Sequence, residues 1–317
     1  MKVLIAGGTG FLGRPLASRL ALAQHEVVVL TRNEIFGRPA ERLRYVPWKP
    51  DGTIPIAARS AGGGRSRVGD WTNEVADADA IVNLAGAGLA DERWTADRQT
   101  LLRTSRKAST ESLVTAVRYA SGKPSVFIQG SAIGYYGTRT NAPLDESSPA
   151  GSDFLASLCV EWEAAAQPVA GFGLRLVLAR TGVVLASDGG ALPKLAAPFR
   201  AFVGGPIGSG EQVISWVHRD DWLSMITWAI ETPEITGPLN VTAPKPVTNA
   251  EFARSLGRAL HRPSWMTTPA FVVRAAAGGI ADVAVLAGQR VLPTKALGLR
   301  FGFRYPEIDR ALAAAVA

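Results

Sequence analysis

The chain has 317 residues, of which 47% are hydrophobic, so it can build one large domain or two modest ones. Its formal charge of +7 comes from basic residues spread along the chain. Because they form no run and no aromatic-interleaved stripe, nucleic-acid binding is disfavoured, and anionic small molecules explain the charge as well. The single cysteine, Cys159, excludes an internal disulfide and a cysteine-rich metal site, and the 3 scattered histidines argue against a histidine cluster. We expect no metal.

Two features of the chain predict a cytoplasmic protein without a membrane partner. The N-terminus begins directly with a strand-like run, which leaves no room for a signal peptide. The most apolar stretch, around Phe271 to Leu286, is interrupted by Arg274 and Asp282 and is too short and too charged to span a bilayer. The sequence leaves a homodimer open.

The first motif in the chain is typical of a nucleotide phosphate site. An apolar run, Val3 to Ala6, precedes a Gly-x-x-Gly-x-x-Gly turn, and residues at helical spacing follow it. The glycines let the backbone approach a pyrophosphate, and the N-terminus of the helix faces its charge. We predict that this turn binds a dinucleotide through Gly7, Thr9, Gly10, Phe11, Leu12 and Gly13.

The end of the next strand indicates which dinucleotide is bound. The run Glu26 to Leu30 is followed by Thr31-Arg32-Asn33, with no acidic residue to hold a ribose 2′-hydroxyl. An arginine at this position suits the 2′-phosphate of NADP. Thr31 and Arg32 are therefore predicted to bind NADP(H), with a solvated loop arginine as the alternative for Arg32.

Strand-like and helix-like segments then alternate, which predicts a doubly wound parallel α/β sheet of the Rossmann type. The predicted strands are Arg44 to Trp48, Ala80 to Leu84, Ser125 to Gln129 and Leu174 to Leu178, and the predicted helices are 96–120 and Phe154 to Ala166. The segment Ala57 to Gly69 is aperiodic, and we interpret it as a mobile surface loop without function.

From about Gly189 the pattern loosens, which predicts a second, smaller lobe. A strand over Val213 to Val217 and a helix over Asp220 to Glu231 precede a boundary at two prolines, and a further helix covers Asn249 to Leu260. We predict an NADP-binding domain over 1–188, to which some later segments return, and a smaller α/β lobe over 189–317. The two lobes would enclose a cleft.

Several motifs together resemble the extended short-chain dehydrogenase/reductases, and in particular the atypical branch named epimerase family proteins, which carries an uncharacterised C-terminal domain. The motifs are the glycine turn, Asn83-Leu84-Ala85-Gly86-Ala87, the segment Gly130 to Gly137 with Ser131, Asp153 through Cys159 to Glu163, Gly189 to Leu192, Ser215 to Asp221, and the stretch from Asn249 to Val291. The resemblance covers nearly the whole chain. It implies that Asn83, Leu84, Ala85 and Gly86 also line the cofactor site.

The sequence departs from that superfamily at the residues that move protons. Its enzymes usually carry Tyr-x-x-x-Lys on the helix after the Ser-bearing strand. If Glu163 matches the acid that often follows that lysine, Leu155 and Cys159 stand at the two positions. A leucine cannot transfer a proton, and a thiol carries no positive charge to stabilise a phenolate. The resemblance therefore extends to the fold and the cofactor but not to the usual proton chemistry.

Three hydroxyl groups near the strand end are the candidate catalytic groups. Ser131 would face both nicotinamide and substrate, although a turn or cap serine is equally consistent with the pattern. Tyr135 and Tyr136 follow it, and one of them could replace the missing phenol, with aromatic packing as the alternative. Cys159 is interpreted as a buried apolar cysteine rather than a nucleophile.

Charged and amide side chains elsewhere are candidates for the substrate cleft. On the long helix, Arg103 and Lys107 share a face that could hold an anion, and Arg106 lies between them; a solvated face is the commoner case.

The remaining candidates for the cleft come from later in the chain. Gln212, Trp216 and Gln289 are candidate lining residues, with core packing the alternative for the tryptophan. His218, near a strand end, is a further candidate, with a structural role at the start of the next helix as the alternative.

Two functions fit these observations. The first is an NADP-dependent reductase, epimerase or dehydratase-like enzyme acting on a small molecule, which the complete glycine turn favours. The second is a non-catalytic NADP(H)-sensing or scaffolding protein, which the missing Tyr and Lys favour.

Overall fold

The computed structural model describes residues 1–32, 41–50, 71–89, 92, 94–138, 142–279 and 281–317. The predicted loop at 57–69 lies outside these residues. The described strands are β1 (Lys2–Ala6), β2 (Glu26–Thr31), β3 (Leu43–Pro47), β4 (Ala80–Asn83), β5 (Val126–Ala132), β6 (Pro143–Leu144), β7 (Arg175–Thr181), β8 (Val183–Leu185), β9 (Val213–Ile214), β10 (Trp216–His218), β11 (Gly237–Val241), β12 (Val247–Thr248) and β13 (Arg290–Val291).

The described helices connect these strands. They are α1 (Gly13–Leu22), α2 (Trp71–Ala76), α3 (Ala96–Tyr119), α4 (Phe154–Ala166), α5 (Leu192–Arg200), α6 (Arg219–Glu231), α7 (Asn249–Leu260), α8 (Ala270–Ala277), α9 (Thr294–Gly298) and α10 (Ile308–Val316). The predicted long helix and the predicted helices over Phe154–Ala166 and Asn249–Leu260 are confirmed. None of the described helices is both long enough and apolar enough to cross a bilayer.

A seven-stranded sheet in the order β11-β7-β5-β4-β1-β2-β3 forms the centre of the molecule. All of its strand pairs are parallel. One face packs against α1 and α6, and the other packs against α2 and α3. Because both faces are covered, strands such as β1 are continuous apolar runs instead of alternating ones. The predicted doubly wound α/β sheet is confirmed.

The strand order reverses between β1 and β4, and this reversal positions the site. The chain leaves β1 toward β2 and β3, whereas β4, β5, β7 and β11 extend the sheet on the other side. Ligands of open α/β sheets bind at the carboxyl ends of the strands beside such a reversal. The glycine turn follows β1 there, and the loop Leu84–Gly86 follows β4.

The C-terminal lobe has a core of its own but is joined to the main sheet. Its core is formed by apolar residues of β8, β10, α5, α7 and α10. Helix α7 begins with a capping box in which Thr248 and Glu251 satisfy each other's backbone groups. Strand β11, although it lies beyond residue 188, is an edge strand of the main sheet.

Candidate active site

The turn after β1 has the shape that a phosphate needs. Gly7 has a φ of +80°, and the Gly10 amide donates to the Gly7 carbonyl at 3.0 Å. A Cβ on Gly13 would lie 2.2 Å from the Gly7 oxygen, so only glycine fits at the start of α1. The first turn of α1 has no side-chain cap and no acidic residue. Its amides are therefore suited to an anion, and Thr9 and Gly10 are exposed beside them.

The loop after β4 closes on this turn. A Cβ on Gly7 would lie 2.7 Å from the Leu84 carbonyl carbon, so the two backbones are in direct contact. Asn83 is fully buried; its Nδ2 donates to Thr110 and Gln129, each at 3.0 Å, and its Oδ1 accepts from the Ala85 amide. The Asn83 side chain is thus committed to shaping the loop, and the backbone of 84–86 is the part that faces a ligand.

The other residues predicted to bind the cofactor surround the turn. The Phe11 ring packs on a glycine pair, since a Cβ on Gly189 or Gly190 would lie 2.5 or 2.9 Å from it. Leu12 is half-buried against the core. At the end of β2, Thr31 is buried and Arg32 is exposed. An exposed arginine at this strand end is free to reach a 2′-phosphate, and its role stays a prediction.

Polar side chains form a row across the carboxyl ends of β5, β7 and β11. The register pairs Ser131 with Arg180, and Arg180 with Asn240, so the three side chains share one face of the sheet. Glu163 of α4 lies above this row. Its carboxylate accepts from Ser131 Oγ at 2.7 Å and from Arg180 Nε and Nη2 at 2.9 Å each. Because the Ser131 proton is committed to this carboxylate, Ser131 is not oriented to donate to a substrate.

The hydroxyl of Tyr136 is bonded within the same buried row. It is fully buried, its hydroxyl donates to Asn240 Oδ1 at 2.6 Å, and it accepts from Arg180 Nη1 at 3.1 Å. Burial raises the pKa of Tyr136 to about 12. Both sides of the Tyr136 hydroxyl are engaged inside the protein, so its role as a catalytic acid stays a prediction that this bonding does not favour.

Tyr135 remains as the phenol at this strand end. It lies in the 3₁₀ turn Ile133–Tyr136 that follows β5, and it is half-buried. The Arg180 guanidinium carbon lies 3.4 Å from the centre of its ring. Among the described residues its hydroxyl has no hydrogen-bond partner, in contrast to the hydroxyl of Tyr136.

Leu155 and Cys159 of α4 face the end of β5, as the resemblance implies. A Cβ on Gly134 would lie 3.2 Å from Leu155 Cβ and 3.8 Å from Cys159 Sγ. Burial raises the pKa of the Cys159 thiol to about 11, so the thiol is neutral.

The chain contains two Tyr-x-x-x-Lys spacings, from Tyr45 to Lys49 and from Tyr119 to Lys123. Tyr45 lies on the edge strand β3, and Tyr119 is the exposed last residue of α3, so neither stands on α4 beside the end of β5.

Two of the predicted cleft residues belong to the C-terminal core. Trp216 is fully buried and its Nε1 donates to the Lys245 carbonyl at 3.0 Å, so its prediction as a cleft residue is wrong. His218 is the N-cap of α6; its Nδ1 accepts from the Asp220 amide at 3.1 Å, and its ring packs on Tyr305. Both residues have the structural role that was the alternative.

Arg103 and Lys107 do not form the predicted anion site. Arg103 lies 3.6 Å from Glu161 and stacks on Phe154, whereas Lys107 is exposed and 3.8 Å from Glu111. Each cation therefore has its own carboxylate.

The two glutamine candidates make hydrogen bonds to backbone carbonyl groups in and next to the C-terminal lobe. Gln212 Nε2 donates to the Ile207 carbonyl at 3.0 Å, and Gln289 Nε2 donates to the Gly137 carbonyl at 2.8 Å. Beside Gly137 lies a cavity of about 240 Å³, lined by Tyr136, Thr138, Ala150, Gly151, Ser152 and Asp153. Gln289 thus connects the lobe to the loop at the cleft.

The residues that sequence reasoning missed are those joined across the sheet. Arg180 and Asn240 have no motif of their own, and only the register of three strands shows that they meet Ser131. The signal available in the sequence was a charged or amide residue inside each apolar strand, because a polar group in a buried strand needs a partner.

The turn, the strand reversal and the polar row define a dinucleotide-binding protein of the Rossmann type. Residues 3–241 match the profile of the NAD dependent epimerase/dehydratase family, and residues 268–315 match a domain of unknown function, DUF1731. The chain belongs to this epimerase/dehydratase family.

Similar proteins match over the whole length. The epimerase family protein SDR39U1 homolog, chloroplastic, of Arabidopsis thaliana is 40% identical over 99% of this chain and 86% of its own. The epimerase family protein ML0860 of Mycobacterium leprae is 38% identical over 98% of this chain and 94% of its own. A crystal structure of human epimerase family protein SDR39U1 with NADPH superposes with a TM-score of 0.83, at 34% identity, covering 100% of this chain and 99% of that one.

Proposed function

We propose that the protein is an NADP(H)-dependent reductase of a small carbonyl compound, with Tyr135 as the proton donor. The observation that carries this proposal is the contrast between two adjacent phenols. The hydroxyl of Tyr136 is held on both sides, whereas that of Tyr135 has no partner among the described residues.

NADP(H) is proposed as the cofactor because the chain offers a matching cradle and because a relative carries the same molecule. The glycine turn, the uncapped first turn of α1 and Arg32 fit a dinucleotide with a 2′-phosphate. The human relative at 34% identity was crystallised with NADPH. When bound, this cofactor supplies a hydride.

The protein's own residues would supply the proton and would position the group that donates it. A phenol carries an O–H proton that it can donate to a developing alkoxide. The guanidinium of Arg180 stacks on the Tyr135 ring and fixes its orientation. Glu163 and Ser131 would act as positioning residues, because they hold Arg180 in place and are committed to each other.

A pair of tyrosine variants tests this proposal. NADPH consumption is measured over a library of carbonyl compounds with the wild type, Tyr135→Phe and Tyr136→Phe. Loss of a general acid should lower the rate of Tyr135→Phe by about 100-fold or more. In Tyr136→Phe the loss of two buried hydrogen bonds should lower the free energy of unfolding, measured with urea, by about 1–3 kcal/mol. At a low temperature, where this variant stays folded, its rate of NADPH consumption should equal that of the wild type. Equal rates in the wild type and Tyr135→Phe would exclude Tyr135 as the acid.

The second candidate function is a non-catalytic NADP(H) sensor. Leu155 and the neutral Cys159 thiol at the two family positions favour it, as does the committed proton of Ser131. A sensor would bind NADPH and consume none with any carbonyl compound in the same library.

A further inference from the structure

Arg106, a half-buried arginine on α3, has no carboxylate partner among the described residues. The Nη1 of Arg106 donates to the Ala87 carbonyl at 2.9 Å and to the Leu102 carbonyl at 3.2 Å. Its Nε and Nη2 make no hydrogen bond within the described part of the chain. The cations next to it on the same helix are paired, Arg103 with Glu161 and Lys107 with Glu111.

Arg106 lies between the cofactor loop and α4. A Cβ on Gly86 would be 2.9 Å from Arg106 Cγ, so the stem of the arginine packs on the loop after β4. The guanidinium carbon lies 4.9 Å from the centre of the Trp162 ring. The Trp162 Nε1 is itself buried and has no acceptor among the described residues. These two neighbouring side chains therefore carry nitrogen donors that no described residue satisfies.

The surroundings leave the charge of Arg106 uncompensated. Burial lowers the pKa of Arg106, and the nearby positive charge of Arg98 lowers it further. The neighbouring Cys159 thiol, with a pKa of about 11, is neutral and cannot balance it. An arginine nevertheless stays charged in proteins. Arg106 is half-buried. A cation removed in part from water without a counterion is unfavourable, and an anionic ligand would compensate its charge.

We infer that Arg106 binds an anionic group, a carboxylate or a phosphate, on the small molecule that enters this cleft. The planar fork of donors on an arginine matches both groups. The substrate class is then an anionic carbonyl compound, a statement that rests on the proposed reductase function. The shared chemistry also includes the phosphates of the cofactor, so the experiment must separate the two sources.

The experiment measures the binding of simple anions to the NADPH-saturated protein by ligand-observed NMR. The probes are 4-oxopentanoate with its methyl ester, and phenyl phosphate with phenol. We expect the two anions to bind the wild type and their neutral partners to bind at least about 10-fold more weakly. Arg106→Gln should weaken anion binding by roughly 10–100-fold. Arg118→Gln, an exposed arginine on the same helix, is the matched control and should change nothing.

Three results would overturn the inference. The first is that the neutral probes bind the wild type as tightly as the anions do. The second is that the anions bind Arg106→Gln as tightly as the wild type. The third is that the anions do not bind the wild type. NADPH affinity is measured in parallel. A fall in NADPH affinity of Arg106→Gln, with anion binding unchanged, would assign Arg106 to the cofactor and overturn the inference as well.

Two further arms keep the inference separate from folding and from the reductase proposal. Arg106→Lys keeps the positive charge but loses the planar fork of donors, so we expect an anion affinity between those of the wild type and Arg106→Gln. If Arg106→Gln fails to fold, the anion affinities of Arg106→Lys and Arg118→Gln are compared instead. Arg106-dependent anion binding without NADPH consumption would support the anion site while removing the reductase.

Discussion

At the scale of single residues, His218 has a structural role. The sequence left open whether it lines the cleft or begins a helix, and the structure has it as the N-cap of α6. As the N-cap of α6, its Nδ1 must be unprotonated to accept from the Asp220 amide. Burial lowers the pKa of His218, and the charge of Arg219 lowers it further, while Asp220 and Asp221 act in the opposite direction. The neutral imidazole is therefore the form that stabilises the folded state.

The protein should therefore lose stability as the pH falls below about 6.5, the ordinary pKa of histidine. With its pKa lowered in the folded state, His218 binds its proton more readily in the unfolded chain, so the free energy of unfolding falls with pH. His218→Asn keeps an N-cap that does not titrate. Its free energy of unfolding, measured with urea, should decrease less between pH 7.5 and 5.5 than that of the wild type. His261→Asn, at an exposed histidine, is the control. The same pH dependence in His218→Asn would contradict this role.

Arg32 is the residue on which cofactor choice is expected to depend. It is exposed at the carboxyl end of β2. A charge-assisted contact to the 2′-phosphate is worth ~1.5–3 kcal/mol, which corresponds to roughly 10–100-fold in affinity.

NADPH should therefore bind more tightly than NADH, and Arg32→Ala should remove most of this preference while leaving NADH binding nearly unchanged. Fluorescence titration of both cofactors with both proteins measures the effect. Equal affinities for NADPH and NADH in the wild type would show that Arg32 does not select the cofactor.

At the scale of elements, the ion pair of Glu163 and Arg180 joins α4 to strand β7 of the main sheet. Both side chains are buried, with exposed fractions of 7% and 3%, and the pair also holds Ser131. Such a pair is costly to break, because removal of one charge leaves the other buried and alone.

Glu163→Gln should therefore lower the free energy of unfolding by about 3–5 kcal/mol. Glu161→Gln removes a carboxylate from the exposed side of the same helix and should stay within about 0.5 kcal/mol of the wild type. Urea unfolding of the two variants at pH 7.5 provides the comparison. Similar midpoints for Glu163→Gln and Glu161→Gln would show that the ion pair contributes little.

The sequence predicted the elements far better than it predicted the contacts between them. Apolar runs and helical spacing are local properties, so the glycine turn, α4 and α7 are where the pattern placed them. The partners of Ser131 and Tyr136 come from distant elements, and Asn240 lies 104 residues from Tyr136. Helical spacing grouped Arg103 with Lys107, but the structure gives each of them its own carboxylate, Glu161 and Glu111.

At the scale of the whole molecule, the side chain of Gln289 joins the C-terminal lobe to the loop after β5, in addition to the pairing of β13 with β6. Gln289 donates to the Gly137 carbonyl at 2.8 Å, and its own carbonyl accepts from Ser215 Oγ at 2.7 Å. The loop that follows β5 is thereby connected to the lobe between β9 and β10. A ligand that orders the loop should also order this part of the lobe.

NADPH should consequently slow amide hydrogen exchange at 131–137 and also at 204–215. In Gln289→Ala the protection at 131–137 should remain and that at 204–215 should decrease, because the side-chain link to the Gly137 carbonyl is removed. The free protein and the NADPH complex of each variant are compared by mass spectrometry of peptides. Protection confined to the first forty residues would mean that the lobe takes no part in the site. Equal protection of 204–215 in Gln289→Ala would mean that the two parts are coupled by other contacts.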